Sequence, residues 1–151
     1  MLQKKNCLIS GIFLLFLFSC STNNLKKKKT VFSKLDVTES GIDFNNIITE
    51  NDSVNLISNE YTYMGGGVGI IDINNDGLQD VFFSGNQVSS RLYLNEGNNH
   101  FKDITLSAGV STSTWCTGVS VVDINNDGYQ DLYISVSGSV SGNARRNLLF
   151  I

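Results

Sequence analysis

The chain has 151 residues, no proline and a formal net charge of −3, and 41% of its residues are hydrophobic. All 14 acidic residues lie after Thr30, where fewer than half of the 11 lysines and arginines lie, so the body of the chain is strongly acidic. Such a charge argues against nucleic-acid binding and suits the binding of cations. Short runs of Val, Ile, Phe and Tyr among many Gly, Asn and Ser residues favour an all-β fold.

The first 19 residues are predicted to be a secretory signal peptide. Lys4 and Lys5 precede a mostly apolar run, Leu8–Phe18, which is shorter than the roughly 20 residues that a membrane-spanning helix needs. A basic start, a short apolar run and a small residue before the cleavage point are typical of an export signal. We therefore expect residues 1–19 to be removed from the mature protein.

Cys20 follows this segment in the sequence Leu17-Phe18-Ser19-Cys20, which resembles the lipobox of bacterial lipoproteins. The resemblance implies that Cys20 is lipidated and becomes the mature N-terminus; the alternative is a plain signal peptide with an incidental cysteine. Residues 20–30, which include Lys26–Lys29, are then a basic tether, either solvated or touching anionic head groups. The expected location is extracytoplasmic, with the lipid anchored in a bacterial membrane, at the outer membrane or the cell surface.

The chain offers few residues suited to covalent catalysis. Cys7 leaves with the signal and Cys20 carries the lipid, so Cys116 has no partner for a disulfide and is expected to be a small buried residue. His100 has no nucleophile near it in the sequence and is expected in a strand or turn.

A repeat of about 50 residues organises the body of the chain. The sequence GVGIIDINNDGLQD at Gly67–Asp80 returns as GVSVVDINNDGYQD at Gly118–Asp131 without a gap. Downstream, Arg91–Asn95 is predicted to correspond to Arg146–Phe150. Within the first copy, short apolar or alternating runs predict strands at Val68–Ile71, Val81–Phe83, Arg91–Leu94 and His100–Ile104.

Four strands in about 50 residues, followed by the same plan again, are typical of β-propeller blades; a repeating sandwich is the alternative. Residues 31–151 are therefore predicted to form about two blades. The second is incomplete, because the sequence stops in the strand that matches Leu92–Leu94. We expect the start of a larger propeller from a longer natural gene product, and we expect residues 30–151 alone to aggregate or to be poorly ordered.

Each repeat carries the pattern Asp-x-Asn-x-Asp-Gly-x-x-Asp in the loop between its first two strands. Calcium takes six to eight oxygen ligands at about 2.3–2.6 Å, so a tightly curled backbone has to bring these oxygens together. The glycine permits the sharp turn, and the residue after it is expected to offer its carbonyl while its side chain packs elsewhere. Two Ca²⁺ sites are predicted, with the ligands Asp72, Asn74, Asp76, Leu78 and Asp80 in the first and Asp123, Asn125, Asp127, Tyr129 and Asp131 in the second.

Other interpretations of these loops are possible. An EF-hand needs a bidentate Glu at its twelfth position and flanking helices, whereas that position is Phe83 or Ile134 in a β-like run, so an EF-hand is excluded. Magnesium is an alternative, and so are metal-free turns that use Asp, Asn and Gly for their backbone preferences. Two copies of the same nine-position pattern favour a metal.

The motifs resemble those of FG-GAP/VCBS repeats, which form propellers in integrin α-subunit-like proteins. More narrowly, the segments FKDITLSAGV, GGGVGIIDINNDGLQDVFFSGN, RLYLNEG and WCTGVSVVDINNDGYQDLYIS resemble the bacterial ASPIC/UnbV-associated, cartilage acidic protein-like family. The resemblance covers the chain from about Phe32 to its end. It implies a calcium-stabilised propeller at the N-terminal part of a longer exported protein, and it supplies no catalytic residue.

These patterns favour a non-catalytic calcium-binding module for surface interactions, with a glycan or a protein as its ligand. An accessory subunit of a larger surface complex and a polysaccharide-active enzyme are the alternatives. The acids outside the loops form no motif with a histidine or nucleophile, which disfavours the enzyme. Tyr61, Tyr63 and Trp115 precede the glycine-rich strands and are predicted either to stack on a sugar or to pack between blades.

Overall fold

Strands dominate the fold, as the composition predicts. The computed structural model describes residues 30–137 and 146–151. Within these residues lie a single helical turn and seven strands: α1 (Val37–Ser40), β1 (Val68–Ile71), β2 (Asp80–Phe83), β3 (Arg91–Asn95), β4 (Phe101–Asp103), β5 (Cys116–Val122), β6 (Asp131–Val136) and β7 (Leu148–Phe150). The prediction of an all-β fold is confirmed.

The strands all belong to one compact unit, Lys34–Ile151. The predicted signal peptide, Met1–Ser19, and the predicted lipidation site, Cys20, lie outside the described residues. In the part of the chain that is described, no helix has the length and apolar character needed to cross a membrane.

The first sheet is an antiparallel meander in the order β1-β2-β3-β4. Ile71 pairs with Asp80 across the first connection, and Phe82 pairs with Leu92 across the second. Each strand begins and ends within one residue of its predicted position. Local apolar runs suffice to locate these strands because successive side chains of a strand point to opposite faces of the sheet.

The second sheet is also antiparallel and runs β5-β6-β7. Its last strand corrects one prediction, because Arg146 is not the counterpart of Arg91. Phe83 pairs with Arg91, and its repeat equivalent Ile134 pairs with Leu148, so β7 begins two residues later than the shared arginine suggested. A shift of two residues leaves each side chain on the same face of the sheet, so the shared arginine and the alternation of side chains could not determine this register.

The hydrophobic core lies where one face of the first sheet packs on the second sheet. Ile71, Phe82 and Leu92 of the first sheet are buried together with Leu132 and Ile134 of the second. Exposed and buried residues alternate along strand β1, so one of its faces, with Gly69 and Ile71, packs in the core. Full burial of each large apolar side chain stabilises the fold by about 1.5–3 kcal/mol.

The segment that precedes β1 covers part of the opposite face of the first sheet. Phe44 stacks on Phe83 with ring centroids 5.1 Å apart. Beside this stack, the Tyr93 hydroxyl donates to Asp43 Oδ1 at 2.6 Å. Burial and this hydrogen bond raise the pKa of Tyr93 above its ordinary value.

Gly67 and Gly118 occupy the same position of the repeat but have different surroundings. A Cβ atom on Gly67 would lie 2.8 Å from the backbone nitrogen of Val119, whereas a Cβ atom on Gly118 would come no closer than 3.5 Å to Ser135. Gly67→Ala is therefore expected to lower the free energy of unfolding by about 1–3 kcal/mol, because the two sheets have to move apart.

Gly118→Ala is the matched control, since the same change there meets only ordinary contacts and should be neutral or stabilising by about 0.4–1 kcal/mol. Urea denaturation of the full chain, followed by the fluorescence of Trp115, measures both effects. Equal destabilisation by the two substitutions would contradict the sheet packing described.

Candidate metal centre

The two predicted metal loops connect the first two strands of each sheet, residues 72–79 between β1 and β2 and residues 123–130 between β5 and β6. Both loops take left-handed backbone conformations at their fourth and sixth positions. Asn75 and Gly77 have φ angles of 56° and 84°, and Asn126 and Gly128 have φ angles of 60° and 90°. Glycine adopts this conformation freely and asparagine does so more readily than most residues, so both residue types support the curl.

In the first loop, the side chains at the first, third and fifth positions come together. The backbone N–H of Asp76 donates to Asp72 Oδ1 and to Asn74 Oδ1, each at 3.1 Å. The N–H of Gly77 donates to Asp72 Oδ2 at 2.9 Å, and the amide of Asn74 donates to Asp76 Oδ2 at 2.8 Å. Three of the predicted ligands thus share one hydrogen-bonded cluster.

The second loop repeats this arrangement. The N–H of Asp127 donates to Asp123 Oδ1 at 3.1 Å and to Asn125 Oδ1 at 3.0 Å. The N–H of Gly128 donates to Asp123 Oδ2 at 2.9 Å, and the amide of Asn125 donates to Asp127 Oδ2 at 2.8 Å. The sequence repeat is therefore also a repeat of side-chain geometry.

The acid at the ninth position of each loop has a different environment. Asp80 is 0% exposed, and its two carboxylate oxygens accept the N–H groups of Ile73, at 3.1 Å, and Asn95, at 2.6 Å. Asp131 is 2% exposed and accepts the N–H of Ile124 at 2.8 Å. These acids hold the base of each loop to the sheet, a structural role that the ligand pattern in the sequence did not assign. A carboxylate oxygen that accepts one N–H keeps a second lone pair, so a role as metal ligand stays a prediction.

Leu78 and Tyr129, the residues at the seventh position, differ from expectation in one respect. Their side chains were expected to pack away from the loops, but they are 39% and 53% exposed. Their N–H groups donate to Asp76 Oδ1, at 2.7 Å, and to Asp127 Oδ1, at 2.9 Å. The proposed contribution of their carbonyl groups to a metal site stays a prediction.

The acids of the two loops form no ion pair with the basic residues that the structure describes. Among the described residues, the ion pairs are Arg91–Asp103 and His100–Glu96, so no loop acid has a basic partner there. The N–H of Tyr129 and the amide of Asn125 lower the pKa of Asp127, because both donate hydrogen bonds to its charged form.

The chemistry of the donors fits a hard cation. Nowhere in residues 30–137 and 146–151 do three Asp, Glu, His or Cys side chains converge in a metal-binding arrangement. The three acids of each loop do not converge either, so a site there has to include the amide oxygen of Asn74 or Asn125 and peptide carbonyls. Oxygen-only donor sets of this kind suit calcium or magnesium, whereas zinc and copper favour imidazole and thiolate.

The remaining residues of interest lie away from the loops. Cys116 is fully buried, as expected, and His100 follows a turn with its Nδ1 atom 3.0 Å from Glu96. Tyr61 and Tyr63 are each 59% exposed, so these two rings do not pack between the sheets. Tyr61 and Trp115 line a groove of about 320 Å³, together with Asn59, Met64, Gly65, Thr117 and Ser137.

The surroundings of Asp80 and Asp76 lead to a testable difference between the two acids. Asp80→Asn replaces one of two acceptor oxygens by an NH₂ group, which then faces a partly buried backbone N–H. We expect this change to lower the free energy of unfolding in metal-free buffer by about 1–3 kcal/mol. Asp76→Asn removes the same charge at an exposed position and should change stability by less than about 0.5 kcal/mol.

Urea denaturation of both variants in the presence of a chelator measures the difference. If Asp80→Asn proved as mild as Asp76→Asn, the structural role of the ninth position would be wrong.

Comparisons with known proteins agree with this architecture. Residues 72–134, which include both loops, match the FG-GAP-like repeat family. Cartilage acidic protein 1 of Xenopus tropicalis is 32% identical over 100 residues, which cover 66% of this chain and 15% of that protein. No solved structure matches the chain significantly. Together with the two antiparallel sheets, the family match and this relative support an FG-GAP repeat protein whose repeats are of the propeller type.

Proposed function

We propose that this chain is an exported, calcium-binding interaction module that is held at a bacterial membrane by a lipid on Cys20 and that binds a glycan or a protein. The observation that carries the calcium part of this proposal is the identity of the two loops. The same four hydrogen bonds connect the first, third, fifth and sixth positions in both, at distances that agree within 0.1 Å. In both copies these contacts bring carboxylate and amide oxygens together in one tightly curled loop, and such oxygens are the ligands that calcium takes.

Each loop supplies one proposed Ca²⁺ site. The proposed donors are the carboxylates and amides at the first, third and fifth positions, the carbonyl at the seventh and the carboxylate at the ninth. Because the three acids of a loop do not converge in the structure, bound calcium would have to draw them closer together. Bound calcium would neutralise acids that have no basic partner among the described residues and would tie the loop to its sheet. The proposed ligands are Asp72, Asn74, Asp76, Leu78 and Asp80 in the first site, and Asp123, Asn125, Asp127, Tyr129 and Asp131 in the second.

A binding role is favoured over catalysis because several acids outside the loops have structural partners. Asp43 accepts the hydroxyl hydrogen of Tyr93, and Asp36 caps α1 by accepting the N–H of Thr38 at 3.0 Å. Asp103 accepts from Thr105 and Arg91. Although desolvation opposes it, these hydrogen bonds lower the pKa of Asp103 below its ordinary value, which makes it a poor proton donor at neutral pH.

The groove beside Tyr61 and Trp115 is the surface that we propose for the ligand. Aromatic rings next to polar groups suit either a sugar ring or an apolar side chain of a protein. FG-GAP repeats are typical of interaction modules, which agrees with such a surface. We also propose kinship with the bacterial ASPIC/UnbV-associated proteins, supported by the motifs RLYLNEG and FKDITLSAGV that form β3, β4 and the turns after them.

The metal proposal predicts a calcium-dependent melting temperature. A ligand that binds only the folded state adds about 2.7 kcal/mol per site when its concentration is 100 times its Kd. The full chain should melt at a lower temperature in chelator and recover with added calcium. Asp76→Ala and Asp127→Ala should each weaken the response, because each removes a charged ligand.

Asp52→Ala is the charge-matched control, since Asp52 is an exposed acid outside both loops. Calorimetry or circular dichroism gives the melting temperatures. A melting temperature that ignores both chelator and calcium would show that the loops are metal-free turns.

The anchoring proposal predicts that Cys20→Ala moves the protein from the membrane fraction to the soluble fraction or blocks its processing. Each buried CH₂ group of an acyl chain contributes about 0.8 kcal/mol, and stable anchoring takes two chains or one chain with a basic patch. Cell fractionation and the mass of the mature N-terminus measure the outcome. Unchanged membrane partitioning with normal signal cleavage would rule out lipidation at Cys20.

A further inference from the structure

Two hydrogen bonds run directly from the first loop to the second. The backbone N–H of Asp72 donates to Gln130 Oε1 at 3.0 Å. The side-chain amide of Asn75 donates to the carbonyl oxygen of Gly128, also at 3.0 Å. Neither Asn75, at the fourth position of its loop, nor Gln130, at the eighth, occupies a proposed ligand position.

The bond from Asn75 acts on the peptide group that orients a proposed ligand. The carbonyl of Gly128 and the N–H of Tyr129 belong to the same planar peptide unit. That N–H donates to Asp127 Oδ1 at 2.9 Å. Asn75 therefore helps to fix the plane of the peptide that aims the Asp127 carboxylate.

The bond from Gln130 acts in the opposite direction. Gln130 belongs to the second loop, and its side chain holds the backbone of Asp72, the first proposed ligand of the first loop. Its own backbone lies between Tyr129 and Asp131, the seventh and ninth positions of the second loop. The conformation of each loop thus depends on a side chain of the other.

The repeat preserves both residue types, with Asn126 equivalent to Asn75 and Gln79 equivalent to Gln130. A left-handed backbone at the fourth position explains why asparagine is tolerated, but glycine would serve that need equally well. The side-chain amide of Asn75 has the additional use of reaching the neighbouring loop.

We infer that Asn75 and Gln130 couple the two loops energetically, so that a loaded site in one raises the cation affinity of the other. This inference rests on the proposed calcium sites. Calcium binding fixes the conformation of one loop and therefore fixes the hydrogen-bond partner that this loop offers to the other. The other loop then loses less conformational entropy when it binds calcium itself. Linkage makes the effect reciprocal, and couplings of this kind typically change affinity by about 5- to 150-fold.

The test is a thermodynamic cycle on the full chain, with calcium as the only ligand. Asp127→Ala disables the second loop, and the affinity of the first loop is read from the amide resonance of Gly77 during a calcium titration. The coupling variant combines Asn75→Gly, which keeps the left-handed backbone free of strain, with Gln130→Ala. The matched control combines Asn126→Gly with Gln79→Ala at the equivalent repeat positions, whose side chains make no hydrogen bond between the loops in the described part of the chain.

In the parent chain and in the matched control, Asp127→Ala should weaken calcium binding by the first loop about 5-fold or more. In the coupling variant, the same substitution should leave that affinity within about 2-fold. An equal loss in both backgrounds would overturn the coupling while leaving two calcium sites in place. A parent chain that binds no calcium would overturn the proposed sites, and the coupling with them.

Discussion

The buried carboxylate of Asp80 is the interaction on which the first sheet and its loop depend. Burying a carboxylate is costly unless hydrogen bonds replace the lost water. Asp80 receives these bonds from the N–H of Ile73, in the loop, and from the N–H of Asn95, at the end of β3. One side chain thereby joins the loop, the start of β2 and the third strand. Asp131 repeats the contact to its own loop through Ile124, so each loop is attached to its sheet by the residue that closes the sequence motif.

This attachment determines what the rest of the motif can do. The ninth position of the loop is fixed in the sheet, and its fourth and sixth positions have left-handed backbone conformations. Because of these two constraints, the side chains of the first, third and fifth positions point into the loop. The N–H groups of Asp76 and Gly77 then satisfy the oxygens of Asp72 and Asn74. The acids are held close together by backbone donors, so part of the ordering cost of a cation site is already met by the fold.

Local sequence was sufficient to predict the strands and the loops, because alternation and turn residues act over a few positions. The four strands of the first sheet and both loop boundaries follow from such patterns. The features that the sequence left open or did not predict correctly involve contacts between distant residues. The register of β7 depends on its pairing with Ile134, the exposure of Tyr61 depends on how the segment before β1 is placed, and the burial of Asp80 depends on Asn95 in another strand. None of these partners can be identified from the neighbouring sequence.

The repeat also explains why equivalent apolar residues differ in exposure. Val119 and Val121 of β5 pack toward Gly69 in the core, while their equivalents in β1, Val68 and Ile70, are exposed. The residue types are conserved between the two copies although only one copy has a neighbour on that face among the described residues. Strand β1 therefore has apolar residues on both of its faces, which is expected of a sheet that packs between two neighbours, as in propeller-type repeats. The loops behave in the same way. Among the described residues, a side chain that makes no hydrogen bond between the loops in one copy of the repeat makes such a bond in the other copy. Gln130 bonds to the first loop, and Asn75 bonds to the second. Both the packing of the sheets and the contacts between the loops are made by residues that occur in each copy of the repeat. The position of a copy relative to its neighbour determines which of these residues make contacts.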